Sequence, residues 1–114
     1  MTLICLQGVN FPIDLGAEKL IAAEKENEKI VVEIKSFLTE SVPNEFHTAL
    51  GQYLDYALGL EEQEPDRLIY LAMPDKIHQR IQKIPILQKA LNRYNVRVIL
   101  FEPSSEIIKQ WILN

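Results

Sequence analysis

The stretch Ile30-Val31-Val32-Glu33-Ile34-Lys35-Ser36-Phe37 decides how this chain is read. It is apolar and β-branched at most positions, the composition of a strand packed on both faces. Alternate residues of a strand share a face, so Ile30, Val32, Ile34 and Ser36 point one way. Val31, Glu33, Lys35 and Phe37 point the other. Two opposite charges therefore emerge side by side from a segment otherwise built for burial. A buried charge is costly unless it is paired or ligates a metal. That makes Glu33-x-Lys35 the first candidate for chemistry. The same spacing is common in exposed cross-strand ion pairs, so the surrounding chain has to decide.

Upstream, Leu20-Ala23 reads as the other arm of a hairpin, with polar, Asn-containing Glu24-Lys29 as its turn. An extended segment at Phe11-Pro12-Ile13-Asp14 precedes it, and Gly16 lets the chain bend between them. Downstream, residues 43–62 predict a helix. Ser41 is placed to cap it, Pro43 suits its first turn, and Phe46, Leu50, Tyr53, Ala57 and Leu60 form one apolar stripe. Residues 61–66 are a polar loop. Residues 67–73 read as a buried strand, 75–82 and 85–94 as helices with Pro85 opening the second, and 96–101 as another strand. The tail, 106–112, fits a closing strand after the Pro103-Ser104-Ser105 turn, with a short helix as the other reading. Strands alternating with helices give an α/β domain, and the hairpin makes its sheet mixed.

The 114 residues fit a single domain spanning 1–114 with one core, and 47% hydrophobic residues suffice to build it. The lone cysteine, Cys5, allows no internal disulfide and reads as a small core residue. No apolar run approaches the roughly 20 residues of a membrane span, and the first residues lack the basic flank of a signal peptide. The cytoplasm is the expected compartment. A net charge of −4 argues against a general nucleic-acid coating protein. Its distribution is uneven: residues 1–66 carry thirteen acids and four bases, whereas 75–97 carry six bases against Asp75 alone. The basic stretch is either a solvated helix face or a surface for phosphate or a partner.

Phosphodiester hydrolysis accounts for Glu33 and Lys35 together. Mg²⁺ prefers carboxylate oxygens, and a bound divalent cation polarises a phosphoryl oxygen and acidifies a bound water. A lysine beside it can orient that water and stabilise developing charge. The second carboxylate must come from another element. Asp14 is the best placed, Glu18 is the reserve, and Glu24 lies too near the hairpin turn. On the next helix Gln52 and Tyr56 stand one turn apart on one face, able to hold a water or phosphate and brace it; ordinary boundary residues would look the same. His47 and His78 lack partners at metal-ligand spacing. Trp111 reads as a core or rim aromatic rather than a base-stacking platform.

Asp14, Glu33-Ile34-Lys35 and Gln52-x-x-x-Tyr56 resemble the D…ExK…QxxxY series of RecB-like members of the PD-(D/E)XK nuclease superfamily. More closely, Ile13–Lys25, Val32–Phe37, Ala49-Leu50-Gly51-Gln52-Tyr53 and Gln110-Trp111-Ile112 resemble the cyanobacterial XisH family of fdxN-element excision controlling factors. The resemblance runs from about residue 12 to the C-terminus. It implies a restriction-endonuclease-like α/β core, with a mixed sheet flanked by helices, and a role in programmed DNA rearrangement during heterocyst development. It implies Mg²⁺ or Mn²⁺ held by Asp14, Glu33 and the Ile34 carbonyl, with Glu18 in reserve and Lys35, Gln52 and Tyr56 serving the water and phosphate. The implied partners are DNA, a XisI-like protein and a site-specific recombinase system. Members of that family usually carry a helix and strand ahead of the Asp segment, and in the nuclease superfamily that first helix often supplies a further acid. Met1–Val9 is shorter and has none, so the N-terminal helix is expected to be missing, leaving a sheet face uncovered and favouring a homodimer. The other function consistent with this departure is a non-catalytic regulator that works by assembly on a nuclease-like scaffold.

Overall fold

The computed structural model describes residues 2–6, 9–13, 19–37, 41–104 and 107–112, with side chains for 22–37, 41–104 and 110–112. Two strands, β1 (Thr2–Leu6) and β2 (Val9–Ile13), form an antiparallel pair. Then follow β3 (Lys19–Lys25), β4 (Glu28–Ile34), α1 (Val42–Gln63), β5 (Leu68–Pro74), α2 (Asp75–Gln82), α3 (Pro85–Arg93), β6 (Val98–Glu102) and β7 (Ile107–Ile112). The last five strands make one mixed sheet in the order β3-β4-β5-β6-β7. Its central pairs, β4–β5 and β5–β6, are parallel, and the outer two are antiparallel. Parallel neighbours require crossovers. Here α1 supplies the first, and α2 with α3 the second.

Local chemistry fixes these elements. The β3–β4 hairpin turns on Glu26 and Asn27 alone, both at positive φ (50° and 70°). This is the two-residue turn whose twist matches the strands it joins, and Asn tolerates its backbone well. The turn is therefore shorter than the polar run Glu24–Lys29 implies, and both strands extend into it. α1 begins as its sequence predicts, with Pro43 in the first turn and the Ser41 hydroxyl accepting from the Asn44 N–H at 3.4 Å. Pro85 opens α3 in the same way. The tail is a strand, β7, paired with β6 across a bulge at Leu100/Phe101.

Alternation along the sheet splits the core in two. On one face Ile69, Leu71, Met73, Val98 and Leu100 pack under all three helices, against Phe46, Ala49, Tyr53, Ile77, Ile81, Leu87 and Leu91. On the other, Ile30, Val32, Ile34, Tyr70, Ala72, Ile99 and Phe101 form a second cluster. An open second face is not what the fold presents: Ile30, Val32, Ile34, Ala72, Ile99 and Phe101 are all fully buried. The β1–β2 pair touches both outer strands, β2 against β3 and β1 against β7, and so closes over that face. Trp111 lies at its margin, edge-on to Tyr70 at 5.3 Å with the Lys25 Nζ 4.4 Å from its ring centroid. It is a rim aromatic engaged in packing.

Candidate functional site

Glu33 sits near the end of β4, between Val32 and Ile34, whose side chains belong to the second cluster. Its own side chain therefore enters the helix-covered face, where its register neighbour Leu71 packs. It is fully buried. Tyr53 of α1 is close enough to feel its charge. Burial pushes the Tyr53 phenol above its usual pKa, the Arg97 N–H and charge oppose this, and the Glu33 carboxylate adds to the rise. β4 ends at Ile34, so Lys35 stands just past the strand, half-buried, its N–H still bonded to the Ala72 carbonyl at 2.9 Å. The pair thus occupies the carboxyl end of a parallel strand, where sheets of this kind place ligands.

Gln52 and Tyr56 are both half-buried on one flank of α1's buried stripe of Val42, Phe46, Ala49 and Tyr53. Tyr56 lines a cleft of about 380 Å³ together with Ala22, Val31, Gly59 and Gln63. That cleft lies towards the start of β4, since Val31 is two residues before Glu33 on the same face. Glu33, Lys35, Gln52 and Tyr56 all take part in polar, ring or electrostatic contacts, so none is an isolated group. Glu33, Gln52 and Tyr56 are brought to the same helix–sheet interface. Asp14 and Glu18 lie outside the described residues. The Ile34 side chain is buried on the opposite face.

The donor chemistry suits a hard divalent cation only in part. Among the described residues no group of three His, Cys, Asp or Glu side chains could hold a metal. Glu33 offers one carboxylate, and Mg²⁺ is commonly held by one or two carboxylates with waters and substrate phosphates completing the shell. His47 is exposed beside Phe46, and His78 is buried among apolar residues of α2.

The chain matches the family model described as XisH protein over residues 2–109. The chain belongs to the XisH family. A crystal structure of a XisH family protein from Nostoc punctiforme PCC 73102 superposes with a TM-score of 0.78 at 38% identity, covering 97% of this chain and 82% of the other. The crystal structure of a fdxN element excision controlling factor protein from Anabaena variabilis gives the same TM-score and identity, with 97% and 81% covered. No curated protein matches the chain.

Two residues of this XisH-family chain escaped the sequence reading. The Tyr53 hydroxyl donates to the Ile69 carbonyl and accepts from the Arg97 N–H, both at 3.2 Å. The β5–β6 ladder bonds the Leu71 N–H to the Arg97 carbonyl at 2.8 Å. The next parallel rung would join the Arg97 N–H directly to Ile69, and the phenol is inserted in its place. A tyrosine in an apolar stripe was the signal, because its hydroxyl needs a partner when buried. The second is Glu45, seven and eleven residues before Gln52 and Tyr56 and so on their flank of α1. Its Oε2 is buried without a hydrogen-bond partner. It stands in the first turn of α1, where the helix dipole favours a carboxylate.

Proposed function

We propose that this chain acts in the excision of a DNA element as a divalent-metal-dependent phosphodiesterase of the PD-(D/E)XK type. The observation that carries the reading is a fully buried Glu33 beside Lys35 at the carboxyl end of β4, under the helix that presents Gln52 and Tyr56. The order of antiparallel hairpin, crossover helix and parallel strand supports a restriction-endonuclease-like core. The excision role rests on family membership and on the Anabaena variabilis relative being described as an excision controlling factor.

In this reading Glu33, with Asp14 and the Ile34 carbonyl, holds Mg²⁺ or Mn²⁺, and Glu18 is the reserve ligand. When bound, the cation polarises the phosphoryl oxygen and acidifies a water. Lys35 orients that water and offsets charge developing on the phosphate. Gln52 hydrogen-bonds the water or phosphate, and Tyr56 braces Gln52. A XisI-like protein and a site-specific recombinase are the proposed partners, and the cytoplasm the proposed setting. No described helix is long and apolar enough to cross a membrane.

Supercoiled, linear and branched DNA incubated with Mg²⁺ or Mn²⁺ tests this. Cleavage is expected from the unaltered chain and not from Glu33→Gln or Lys35→Ala. Cleavage that survives both changes overturns the assignment. A non-catalytic assembly role is the second reading. Leu58 and Tyr94, 62% and 53% exposed, support it, because both border a hollow of about 420 Å³ that a protein partner could fill. Co-purification with a XisI-like protein that Leu58→Glu abolishes, without any cleavage, is its expected outcome.

A further inference from the structure

The α2–α3 helix pair carries a charge pattern that the candidate site leaves unused. Residues 76–101 contain six bases and no acid, in a chain whose net charge is −4. On α2 and its C-cap, Lys76, Arg80 and Lys83 follow at spacings of four and three and share one face. On α3, Lys89 and Arg93 are one turn apart and share a face with Ile86, which is 71% exposed. All five cations are exposed, and among the described residues none of them forms an ion pair. Their faces point away from the core, since Ile77, Ile81, Leu87 and Leu91 occupy the buried sides. Beside them lies an open hollow of about 590 Å³ lined by Gln82, Pro85, Gln88, Lys89, Asn92 and Arg93. Its polar lining is amides and cations only.

Like charges at i and i+4 destabilise a helix. Lys76–Arg80 and Lys89–Arg93 are both such pairs, so the segment gives up helix stability to keep one sign on one side. A polyanion would turn that repulsion into attraction. A membrane surface fits poorly, because the apolar sides of both helices are already spent in the core and only Ile86 is left to insert. Phosphate along a nucleic-acid backbone fits well: duplex DNA offers one charge per roughly 1.7 Å, and Lys76 to Lys83 spans about 10 Å of helix.

Position links this face to the candidate site. α2 begins directly after β5, whose Ala72 carbonyl receives the Lys35 N–H. The cationic face therefore starts at the carboxyl end of the parallel strands, where Glu33 and Lys35 lie, and runs away from it along α2 and α3. The geometry points to α2–α3 as a docking track for the duplex DNA backbone, using Lys76, Arg80, Lys83, Lys89 and Arg93 to hold phosphates flanking the one presented to Glu33. The orientation rests on the proposed nuclease reading, while the docking itself does not.

The test is fluorescence anisotropy with a short labelled duplex of arbitrary sequence, titrated at salt between about 50 and 200 mM. In a variant with all five cations changed to Gln, affinity is expected to fall more than tenfold, and the slope of log K against log[salt] by about 0.9 for each cation that met a phosphate. Lys29→Gln, on the exposed hairpin, is expected to change neither. Circular dichroism of the five-site variant should match the parent, because every altered side chain is exposed. Unchanged affinity and slope in a folded five-site variant overturn the track. Binding of poly-glutamate as tight as that of duplex overturns the choice of DNA in favour of an acidic protein partner. The two proposals fail separately: five-site-dependent binding without cleavage by the parent removes the nuclease reading alone, and cleavage with binding indifferent to the five sites removes the track alone.

Discussion

Replacing Tyr53 by Phe tests the relay between β5 and β6 with little change of volume. The side chain is 3% exposed, so the lost hydroxyl cannot be replaced by bulk water without reorganising the core. Two hydrogen bonds go, to the Ile69 carbonyl and from the Arg97 N–H. A buried hydrogen bond contributes about 1 kcal/mol net, and leaving its partner unsatisfied costs about 1–3. If the strands stay apart, the loss is about 2 kcal/mol. For 114 residues the unfolding entropy is near 0.24 kcal/mol per kelvin, which puts the fall in Tm at about 8 °C. Should β6 close onto β5 to form the direct rung, one protein hydrogen bond returns and the loss falls to about 1 kcal/mol. Urea unfolding gives the free energy, and hydrogen exchange at the Arg97 amide separates the two outcomes. That amide is protected in the parent, exposed if the gap persists, and protected again if it closes. A loss below about 0.5 kcal/mol with Arg97 protection unchanged would refute the relay.

Arg67 clasps the hairpin to the α1–β5 loop, its Nη1 donating to the Ile30 carbonyl at 2.8 Å and more weakly to Ala23 at 3.4 Å. Arg67→Met is expected to cost about 1.5–3 kcal/mol by urea unfolding, whereas Glu64→Gln, on its exposed 3.3 Å ion pair, should cost under about 1. His78 is buried and its pKa is lowered from 6.5, by burial first and with Asp75 opposing, so the folded state favours the neutral ring. As pH falls through about 6.5 the unfolded chain takes up the proton first, and stability drops until the folded pKa is passed; His78→Gln should flatten this step in urea midpoints between pH 7.5 and 5. If the Glu33 site holds Mg²⁺ with a dissociation constant near 1 mM, 10 mM Mg²⁺ adds about 1.4 kcal/mol, or about 6 °C in Tm. Calcium-free thermal melts of the parent and Glu33→Gln should show this shift in the first and not in the second.

The helices were legible because their ends are written in backbone chemistry. Ser41 with Pro43, Pro74 before Asp75, and Pro85 each fix a start that side-chain packing does not move. The hairpin was legible in kind but not in detail. Polar Glu24 and Lys25 belong to β3 and Glu28 and Lys29 to β4, because the exposed end of the hairpin tolerates charge, so polarity alone overstated the turn. β6 starts two residues later than its apolar run, since the Val96 N–H bonds the Leu91 carbonyl at the end of α3 and Arg97 is held by Tyr53. The pairing of β1 with β2 was hidden in a short apolar run with no alternation, and with it the covering of the second sheet face. At the candidate site, Glu33 was legible from strand alternation, and its burial agrees. Asp14 lies outside the described residues, and an approach to Glu33 is a tertiary matter that one strand's periodicity cannot encode.

Charge separation along the chain would sort the two proposed ligands, which are of opposite sign. The first 66 residues are strongly acidic, and most of that charge lies on the hairpin and on α1 with its following loop. A polyanion is repelled there and drawn to α2–α3, while a divalent cation is drawn the other way, towards the half that contains Glu33. The two preferences meet at the carboxyl end of the parallel strands, where the Lys35 N–H bonds the Ala72 carbonyl and α2 begins. Such an arrangement would make cleavage depend on Mg²⁺ in two opposing ways. On the proposed reading, low concentrations would fill the Glu33 site and raise the rate. High concentrations compete for the phosphates and weaken the α2–α3 contacts. The rate should pass through a maximum in Mg²⁺. Removing the five cations weakens binding at every concentration and lessens the decline at high Mg²⁺, because fewer salt-sensitive contacts remain to be lost. A change to Glu33 removes the rise itself.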